Sequence, residues 1–305
     1  NLPHRIKALK NNCLYFRHCV FYLIMYISNK ILQMKTPVNS IVEDLLREKL
    51  LQIEGHFNAD VISYVGPILD GVEKLVRSLV EELKTDETLN NTVYVILTTG
   101  GGSATAVEKY VNILRHHYQT VNFIVPDYAY SAGTIFCMSG DNILMDYSSV
   151  LGPIDPQVEN KEGRLVAALG YLDKINQLIE KAKNDELTNA EFIILKDFDL
   201  AELRGYEQAR ELSVDLLKTW LVKYKFKNWV THETNPAIIG AVVTPMEKQG
   251  RAEEIAAKLS DNNRWKSHSR PINISTLRDE LRLKIEDYSD NEERSKLIRE
   301  YNDLL

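Results

Sequence analysis

Residues Val93–Gln157 carry the most informative sequence of the chain, VYVILTTGGGSATAVEKYVNILRHHYQTVNFIVPDYAYSAGTIFCMSGDNILMDYSSVLGPIDPQ. Its first residues, Val93–Leu97, are apolar and mostly β-branched, which predicts a buried strand of a parallel sheet. The glycines Gly100–Gly102 follow, and Ala104–Tyr118 then places apolar residues at helical spacing. Because ligands bind at the carboxyl ends of parallel strands, where helix N-termini present free N–H groups, this glycine turn is expected to face a site.

A second strand-to-helix junction follows the first. Val121–Val125 is a predicted strand, Pro126 ends it, and Ser131 stands at the start of the next helical run. Because neighbouring parallel strands end at the same edge of a sheet, the Ser131 hydroxyl is expected near the N–H groups of the glycine turn. Acyl transfer needs that arrangement. A third strand, Ile143–Met145, leads into the loop Ser148–Gln157.

Other interpretations of these two junctions stay open on the residues alone. A strand, three glycines and a helix also fit a phosphate-binding turn. The dinucleotide pattern is not met, because its sixth position is Thr105, and no Lys-Ser or Lys-Thr pair follows the glycines as a Walker motif requires. Ser131 at the start of a helix is also compatible with an ordinary N-cap.

Three motifs taken together resemble those of a known family. They are the glycine run, the SAGT of Ser131–Thr134, and the LGPIDPQ of Leu151–Gln157, which follows a strand ending in Met145-Asp146. On these residues the chain resembles the Clp-protease, signal-peptide-peptidase and crotonase superfamily, and within it the serine dehydrogenase proteinase family. The resemblance covers about Val61 to Leu195, with a weaker match near Trp265–Ile272.

This resemblance implies an α/β fold in which stacked ββα (βαβ) units form a Clp-protease/crotonase-like spiral with a helical C-terminal extension. It divides the chain into an N-terminal extension at residues 1–40, a serine protease core at 41–200 and a helical C-terminal region at 201–305. The end of that region, Ser275–Leu305, is expected to be a charged helical tail on the surface or against a neighbouring subunit.

The same resemblance assigns roles to named residues. The implied site consists of the nucleophile Ser131, the oxyanion-hole residues Gly101, Gly102 and Ala132, and a site loop with Gly152, Pro153 and Asp155. The N–H groups of the oxyanion hole would hold the negative charge of the tetrahedral intermediate. Two interpretations of Asp155 stay open, since it could orient a base or hold the turn of the loop.

The resemblance leaves more than one candidate for the general base. In the Clp branch the base is a histidine shortly after the nucleophile, but Pro153 stands at the matching position. No histidine lies between His117 and His232. In the membrane-protease branch a lysine further along the chain takes the role, and Lys174 matches it here. Such a lysine must be partly neutral, and burial among apolar neighbours such as Leu172 would lower its pKa.

Two alternatives to a Lys174 base stay open. The lysine could lie on the surface, paired with Asp173 or Glu180. His268 is then the alternative base, because its segment Trp265–Ile272, WKSHSRPI, could form a Pro-closed loop over the active site. His268 could equally have a packing or capping role.

The composition is that of an ordinary globular protein. Of 305 residues, 44% are apolar and 26% charged, and the formal net charge is −6. A negative net charge gives no reason to expect nucleic-acid binding. The three cysteines, Cys13, Cys19 and Cys137, are too few and odd in number for a disulfide scaffold, which favours a reducing, cytoplasmic location.

The N-terminal residues leave membrane association open. Cys13–Ile27 is largely apolar and follows a basic flank, as in a signal anchor. Arg17 and His18 interrupt the run, however, and what remains is too short to span a bilayer. An interfacial helix, or an upstream extension with Met25 or Met34 as the natural start, is the other interpretation.

The implied function is that of an ATP-independent serine peptidase that acts on peptide or protein substrates as a homo-oligomer, with neither a metal nor a cofactor. Two other classes stay open. A crotonase-like acyl-CoA enzyme would use the glycines without needing Ser131, and a catalytically inactive oligomeric scaffold would need neither. Replacement of Ser131 by alanine separates the first from a peptidase, and labelling by a serine-reactive probe would count against the second.

Overall fold

The computed structural model describes residues 37–84, 90–159, 165–233 and 237–305. The apolar N-terminal run Cys13–Ile27 lies outside these ranges, as do Cys13 and Cys19. Within the described ranges, none of the helices combines the length and the apolar character needed to cross a bilayer.

Helices and short strands alternate along the described chain. The strands are β1 Asp60–Val65, β2 Thr92–Thr98, β3 Thr120–Ile124, β4 Tyr128–Ala129, β5 Asn142–Met145, β6 Val150–Leu151, β7 Gln157–Glu159, β8 Leu165–Ala167, β9 Ile272–Asn273 and β10 Glu286–Asp287. The helices are α1 Pro37–Phe57, α2 Glu73–Leu83, α3 Ala104–His117, α4 Ala132–Met138, α5 Ala168–Lys183, α6 Asn189–Lys196, α7 Leu200–Trp220, α8 Pro245–Leu259, α9 Asn262–Trp265, α10 Ile274–Asp279 and α11 Glu292–Asn302. A π-helical turn, Leu221–Lys225, continues α7.

A five-stranded parallel sheet forms the centre of the fold, in the order β1-β2-β3-β5-β10. Its first four strands are short, largely apolar and mostly buried, as expected where helices cover a parallel sheet, and the edge strand β10 is acidic and partly exposed. Val65 pairs with Thr98, Ile96 with Ile124, and Ile124 with Leu144. The first four strands therefore end at one edge, and the segments that follow them run side by side.

Those segments form a second, smaller layer. β4 pairs in parallel with β6, and β6 pairs antiparallel with β9. Two isolated bridges extend this ladder, from Thr99 to Ala129 and from Gly102 to Ile68. Each unit thus consists of a long strand, a short strand and a helix. The predicted α/β fold of stacked ββα units is confirmed.

The prediction of one charged helical tail over Ser275–Leu305 is wrong. The segment contains α10, then an extended stretch leading into β10, then α11. The physical reason is that buried side chains alternate with exposed ones, which is the period of extended chain rather than of a helix. Leu281, Leu283 and Ile285 are buried, and the residues between them are exposed. Because β10 is the fifth strand of the main sheet, the C-terminal region is part of the core.

Candidate active site

The glycine turn after β2 lies beside the start of α4. Gly101 and Gly102 have φ values of +106° and +143°, where a side chain would be strained. A Cβ on Gly102 would lie 2.0 Å from the carbonyl oxygen of Ile68, so no larger residue fits. A Cβ on Gly101 would lie 3.0 Å from the Cβ of Ser131. The structure therefore brings the predicted oxyanion turn and the predicted nucleophile into contact.

The two glycine N–H groups differ in what they can bind. Gly101 donates its N–H to Thr99 Oγ1, 3.0 Å away, so this group is already engaged and the prediction of a Gly101 oxyanion donor needs correction. The Gly101 carbonyl and the Ser103 N–H both bond Ile68, which leaves the N–H of Gly102 directed away from that residue. Within the described part of the chain, the Gly102 N–H has no acceptor.

Ser131 has a strained backbone. Its φ of +52° and ψ of −113° lie outside the regions that non-glycine residues ordinarily adopt, and such strain is concentrated at functional sites. The residue precedes α4, yet its side chain does not cap that helix, whereas Ser103 does cap α3. Ser131 therefore occupies the N-cap position without the side-chain hydrogen bond of an ordinary N-cap. Ser131 is 8% exposed, so the hydroxyl sits in a nearly closed position.

Ala132 supplies the second candidate donor. As the first residue of α4, it has an N–H group without an intrahelical acceptor. It is buried, and its nitrogen would lie 3.5 Å from a Cβ placed on Gly101. Ala132 thus lies next to Ser131 and close to the glycine turn, so its N–H and that of Gly102 are the candidate donors of an oxyanion hole.

The site loop is held against the nucleophile segment. Gly152 packs so tightly on Tyr130 that a Cβ would lie 2.3 Å from the Tyr130 ring. Pro153 follows it, and its neighbour Ile154 donates its N–H to the Leu259 carbonyl, 3.0 Å away. The loop that follows β6 is therefore fixed on both sides.

Asp155 is buried at the end of this loop. Its side chain is 3% exposed, and its Oδ1 accepts the Leu169 N–H at 3.1 Å. Its Oδ2 is buried and has no hydrogen-bond partner in the described part of the chain. Burial raises the pKa of Asp155, and the Leu169 N–H and the His268 ring oppose that rise. One carboxylate oxygen is thus left for a partner.

His268 meets Asp155 across the small sheet. β9 pairs with β6, His268 lies four residues before β9, and Asp155 lies four residues after β6. The two side chains are close enough for their charges to interact. Burial lowers the pKa of His268, and the Asp155 charge opposes the shift. His268 Nδ1 is buried without a partner among the described residues, like Asp155 Oδ2. The structure brings these two residues together.

Lys174 does not have the environment that was predicted for a base. It lies on α5, whose residues Leu169, Leu172 and Ile175 are buried, but Lys174 itself is exposed. It forms no hydrogen bond or ion pair with any residue that the structure describes. The predicted surface pairs are absent too, since Asp173 accepts from Asn262 and Glu180 pairs with Lys183.

One contact that catalysis needs is not formed. Ser131 Oγ makes no hydrogen bond within the described ranges, although Ser131 follows β4, Asp155 follows β6 and His268 precedes β9. Catalytic hydrogen bonds are often long or unformed in the absence of substrate. No three histidine, cysteine, aspartate or glutamate side chains in those ranges cluster closely enough to hold a metal ion.

Two threonines of the site were missed from the sequence. Thr99 binds the Gly101 N–H, and Thr134 bonds both the N–H and the carbonyl of Gly152. Both side chains are buried. Their position next to the glycine run and within SAGT was the available signal, but a threonine there carries no recognisable chemistry of its own.

Comparison with known families gives a match over most of the chain. A family model described as "ClpP-like SDH-type serine proteinase" matches residues 12–238. An uncharacterized protein of Methanocaldococcus jannaschii is 26% identical over 187 residues, which cover 61% of this chain and 49% of that protein. A second uncharacterized protein of the same organism is 33% identical over 128 residues, which cover 39% and 43%. The chain spans somewhat under half the length of these curated relatives.

Comparison with solved structures gives partial likenesses. A mutant of the 1510-N membrane-bound stomatin-specific protease in complex with a substrate peptide is 16% identical, with a TM-score of 0.36. The match covers 53% of this chain and 58% of that one. Another mutant of the same protease is 19% identical, with a TM-score of 0.32 over 41% and 62%.

Proposed function

The chain belongs to the family of ClpP-like SDH-type serine proteinases, and on that premise we propose that it is a serine peptidase whose nucleophile is Ser131. The observation that carries the proposal is the strained Ser131 backbone against the glycine turn. Gly102 in that turn and Ala132 next to Ser131 each have an N–H group without an acceptor in the described part of the chain. A buried serine held in this way is suited to attack a carbonyl carbon.

The proposed reaction is an acyl transfer in two halves. His268 removes the proton of Ser131 Oγ as the oxygen attacks the carbonyl carbon of a peptide bond. The N–H groups of Gly102 and Ala132 hold the resulting oxyanion. Asp155 stabilises the protonated His268, which then gives its proton to the leaving amine as the C–N bond breaks. Water, deprotonated by His268, then attacks the ester carbon, and His268 returns that proton to Ser131 Oγ as the bond between Oγ and the acyl carbon breaks.

The environment of each candidate supports His268 over Lys174 as the base. A base must be largely neutral at the working pH, and burial lowers the pKa of His268 from its ordinary value of 6.5. A base also needs a partner that orients it, and Asp155 has a free buried oxygen for that purpose. Lys174 is exposed, so it has neither desolvation nor an orienting partner among the described residues. In this proposal Asp155 orients His268 in addition to holding the turn of the site loop.

The test is intact mass spectrometry after treatment with a fluorophosphonate probe. We expect one adduct on the wild-type protein and none on Ser131→Ala, whose circular dichroism spectrum should be unchanged. Peptide mapping should place the adduct on Ser131. An unlabelled wild-type protein, or a labelled Ser131→Ala protein, would overturn the proposal.

Assembly and location are further parts of the proposal. The superfamily resemblance supports a homo-oligomer, which sedimentation velocity at several protein concentrations would test, with a monomer at all of them as the contrary result. A reducing compartment is supported by Cys137, which is buried and free and whose thiol pKa burial raises. Peptide or protein substrates follow from the proposed activity.

A further inference from the structure

Thr134 joins the nucleophile helix to the site loop. Its side chain is fully buried in α4, one helical turn after Ser131. Its Oγ1 accepts the N–H of Gly152 at 3.0 Å and lies 2.8 Å from the Gly152 carbonyl oxygen and 2.9 Å from that of Ala129. One hydroxyl therefore contacts the strand before the nucleophile and the loop that leads to Asp155.

The contacts of Thr134 are more specific than those of an ordinary helical threonine. A helical threonine often donates to a carbonyl about one turn earlier, and the Ala129 contact is of that kind. The two contacts to Gly152 reach another segment, and a hydroxyl can donate only one hydrogen, so it serves one carbonyl at a time while it accepts the Gly152 N–H. That N–H is buried, and without Thr134 it would lack an acceptor in the described part of the chain.

The glycines next to Thr134 and at its contact show that the segments around it are closely packed. A Cβ on Gly133 would lie 2.4 Å from Thr99 Cγ2, so α4 is pressed against the glycine turn. Gly152 is pressed against Tyr130 in the same way. Only two residues lie between Gly152 and Asp155, and Thr134 bonds this end of the loop directly.

The geometry points to Thr134 as a positioning residue that sets the distance between Ser131 and the Asp155–His268 pair. The inference rests on the proposed peptidase function, since it concerns how that site is aligned. Misplacement of reacting groups by about 1 Å can cost on the order of a hundredfold in rate. Loss of the hydroxyl is therefore expected to slow the chemistry more than it weakens binding.

The experiment compares Thr134→Val with Thr134→Ser in fluorophosphonate labelling. Valine keeps the shape and removes the hydroxyl, and serine keeps the hydroxyl and removes the methyl group. We expect Thr134→Val to lower the maximal labelling rate at saturating probe by at least about tenfold, with the half-saturating probe concentration unchanged. Thr134→Ser should stay within about threefold of wild type, even where its Tm falls.

A matched control separates positioning from packing. Thr98 is also buried, and its hydroxyl has no partner in the described part of the chain, so Thr98→Val removes a threonine hydroxyl that holds nothing. Its labelling rate should equal that of wild type. All rates are measured at least 15 °C below the lowest Tm of the set, about the margin that keeps each variant folded.

The outcomes are distinct from those that test the function itself. Absence of labelling in wild type would remove the peptidase proposal. Normal labelling in wild type and in Thr134→Val would leave the peptidase standing and overturn the positioning role. Equal losses in Thr134→Val and Thr134→Ser would also overturn it, since the hydroxyl would then not be the cause.

Discussion

At the scale of single residues, Gly102 combines a backbone constraint with a proposed chemical role. Gly102→Ala would set a Cβ 2.0 Å from the Ile68 carbonyl oxygen at a φ of +143°, so the turn must move and its N–H with it. Loss of one oxyanion donor costs about a hundredfold or more in rate, and we expect at least that loss in labelling.

The matched control for that substitution is the neighbouring glycine. Gly100 has open space where a Cβ would stand and no positive φ. Gly100→Ala should therefore keep the labelling rate within about twofold of wild type, because the oxyanion donors stay in place. Equal losses in both variants would assign the effect to loop flexibility and contradict the role of Gly102.

A second prediction for a single residue concerns Asp155. Asp155→Asn keeps the size of the side chain but removes the charge that stabilises protonated His268. We expect the maximal labelling rate to fall by about a hundredfold or more, since such a substitution disturbs both the tautomer and the charge of the histidine. Stopped-flow labelling measures it. A rate within about threefold of wild type would leave Asp155 with only its turn role.

The sequence indicated that Ser131 and the glycine turn would meet, but it left the base open between Lys174 and His268. The reason is distance along the chain. Ser131 and Gly102 belong to successive strand ends, which parallel pairing brings together. His268 lies just before β9, and no local pattern in the sequence predicts that β9 pairs with β6. Lys174 is exposed because α5 packs inward with the face that carries Leu172 and Ile175.

At the scale of secondary-structure elements, α11 is fixed to the end of β5 by Asp146 and Arg299. Arg299 Nη2 donates to Asp146 Oδ2 at 2.7 Å, and Asp146 Oδ1 accepts the backbone N–H groups of Ser148 and Ser149. Burial alone would raise the pKa of Asp146, but the bonds from Arg299 and Ser148 outweigh it and lower that pKa to about 2. This link connects the C-terminal helix to the start of the site loop.

The link predicts a pH-dependent stability. Because the folded-state pKa of Asp146 is below its ordinary value of 3.8, the stabilisation is present above pH 3.8 and is lost as the pH falls towards 2. Arg299→Gln should lower the free energy of unfolding by about 1 to 3 kcal/mol at pH 7, with a smaller difference at pH 3. Urea unfolding at both pH values measures it.

Lys296→Gln is the matched control on the same helix. Its side chain is 72% exposed and forms only a long ion pair with Glu300, at 3.8 Å. A surface pair of this kind contributes well under about 1 kcal/mol, so the control should unfold like wild type at both pH values. An Arg299→Gln protein as stable as this control would contradict the link.

The helices and strands were predicted correctly where one hydrophobic period continued through the whole element. They were predicted wrongly where that period changed. The apolar run of β2 and the helical spacing of α3 each persist through the element, and both were predicted within a residue or so of their bounds. In the C-terminal region the charged residues suggested one helix. The buried Leu281 and Leu283 alternate with exposed neighbours, however, and only their packing against the sheet shows that period.

At the scale of the whole molecule, the main sheet and the small sheet are each completed by residues near the C-terminus, whereas β7 and β8 form a separate two-stranded sheet. β9 closes the small sheet and β10 is an edge strand of the main sheet. Tyr288, Ile298 and Tyr301 are buried in a cluster with residues of α1 and of the main strands. The core therefore extends across the predicted boundary at residue 200.

Removal of residues 272–305 is accordingly predicted to prevent folding. The truncated chain would expose the open edge of β5 and the apolar cluster beneath α11, and an open, apolar sheet edge favours aggregation. We expect it to be insoluble or to lack a cooperative thermal transition by circular dichroism. A soluble truncated chain with a cooperative transition and fluorophosphonate labelling would show instead that these residues form a dispensable extension.

The pH dependence of fluorophosphonate labelling in wild type, His268→Gln and Lys174→Gln tests the central claim most directly. A histidine base must be neutral, and burial lowers the pKa of His268 below 6.5. The labelling rate should therefore rise with pH through a midpoint below 6.5 and be constant from neutral pH upward. That profile should persist in Lys174→Gln and vanish in His268→Gln. A rate that keeps rising above about pH 8 and loses that rise in Lys174→Gln would contradict the account and make Lys174 the base.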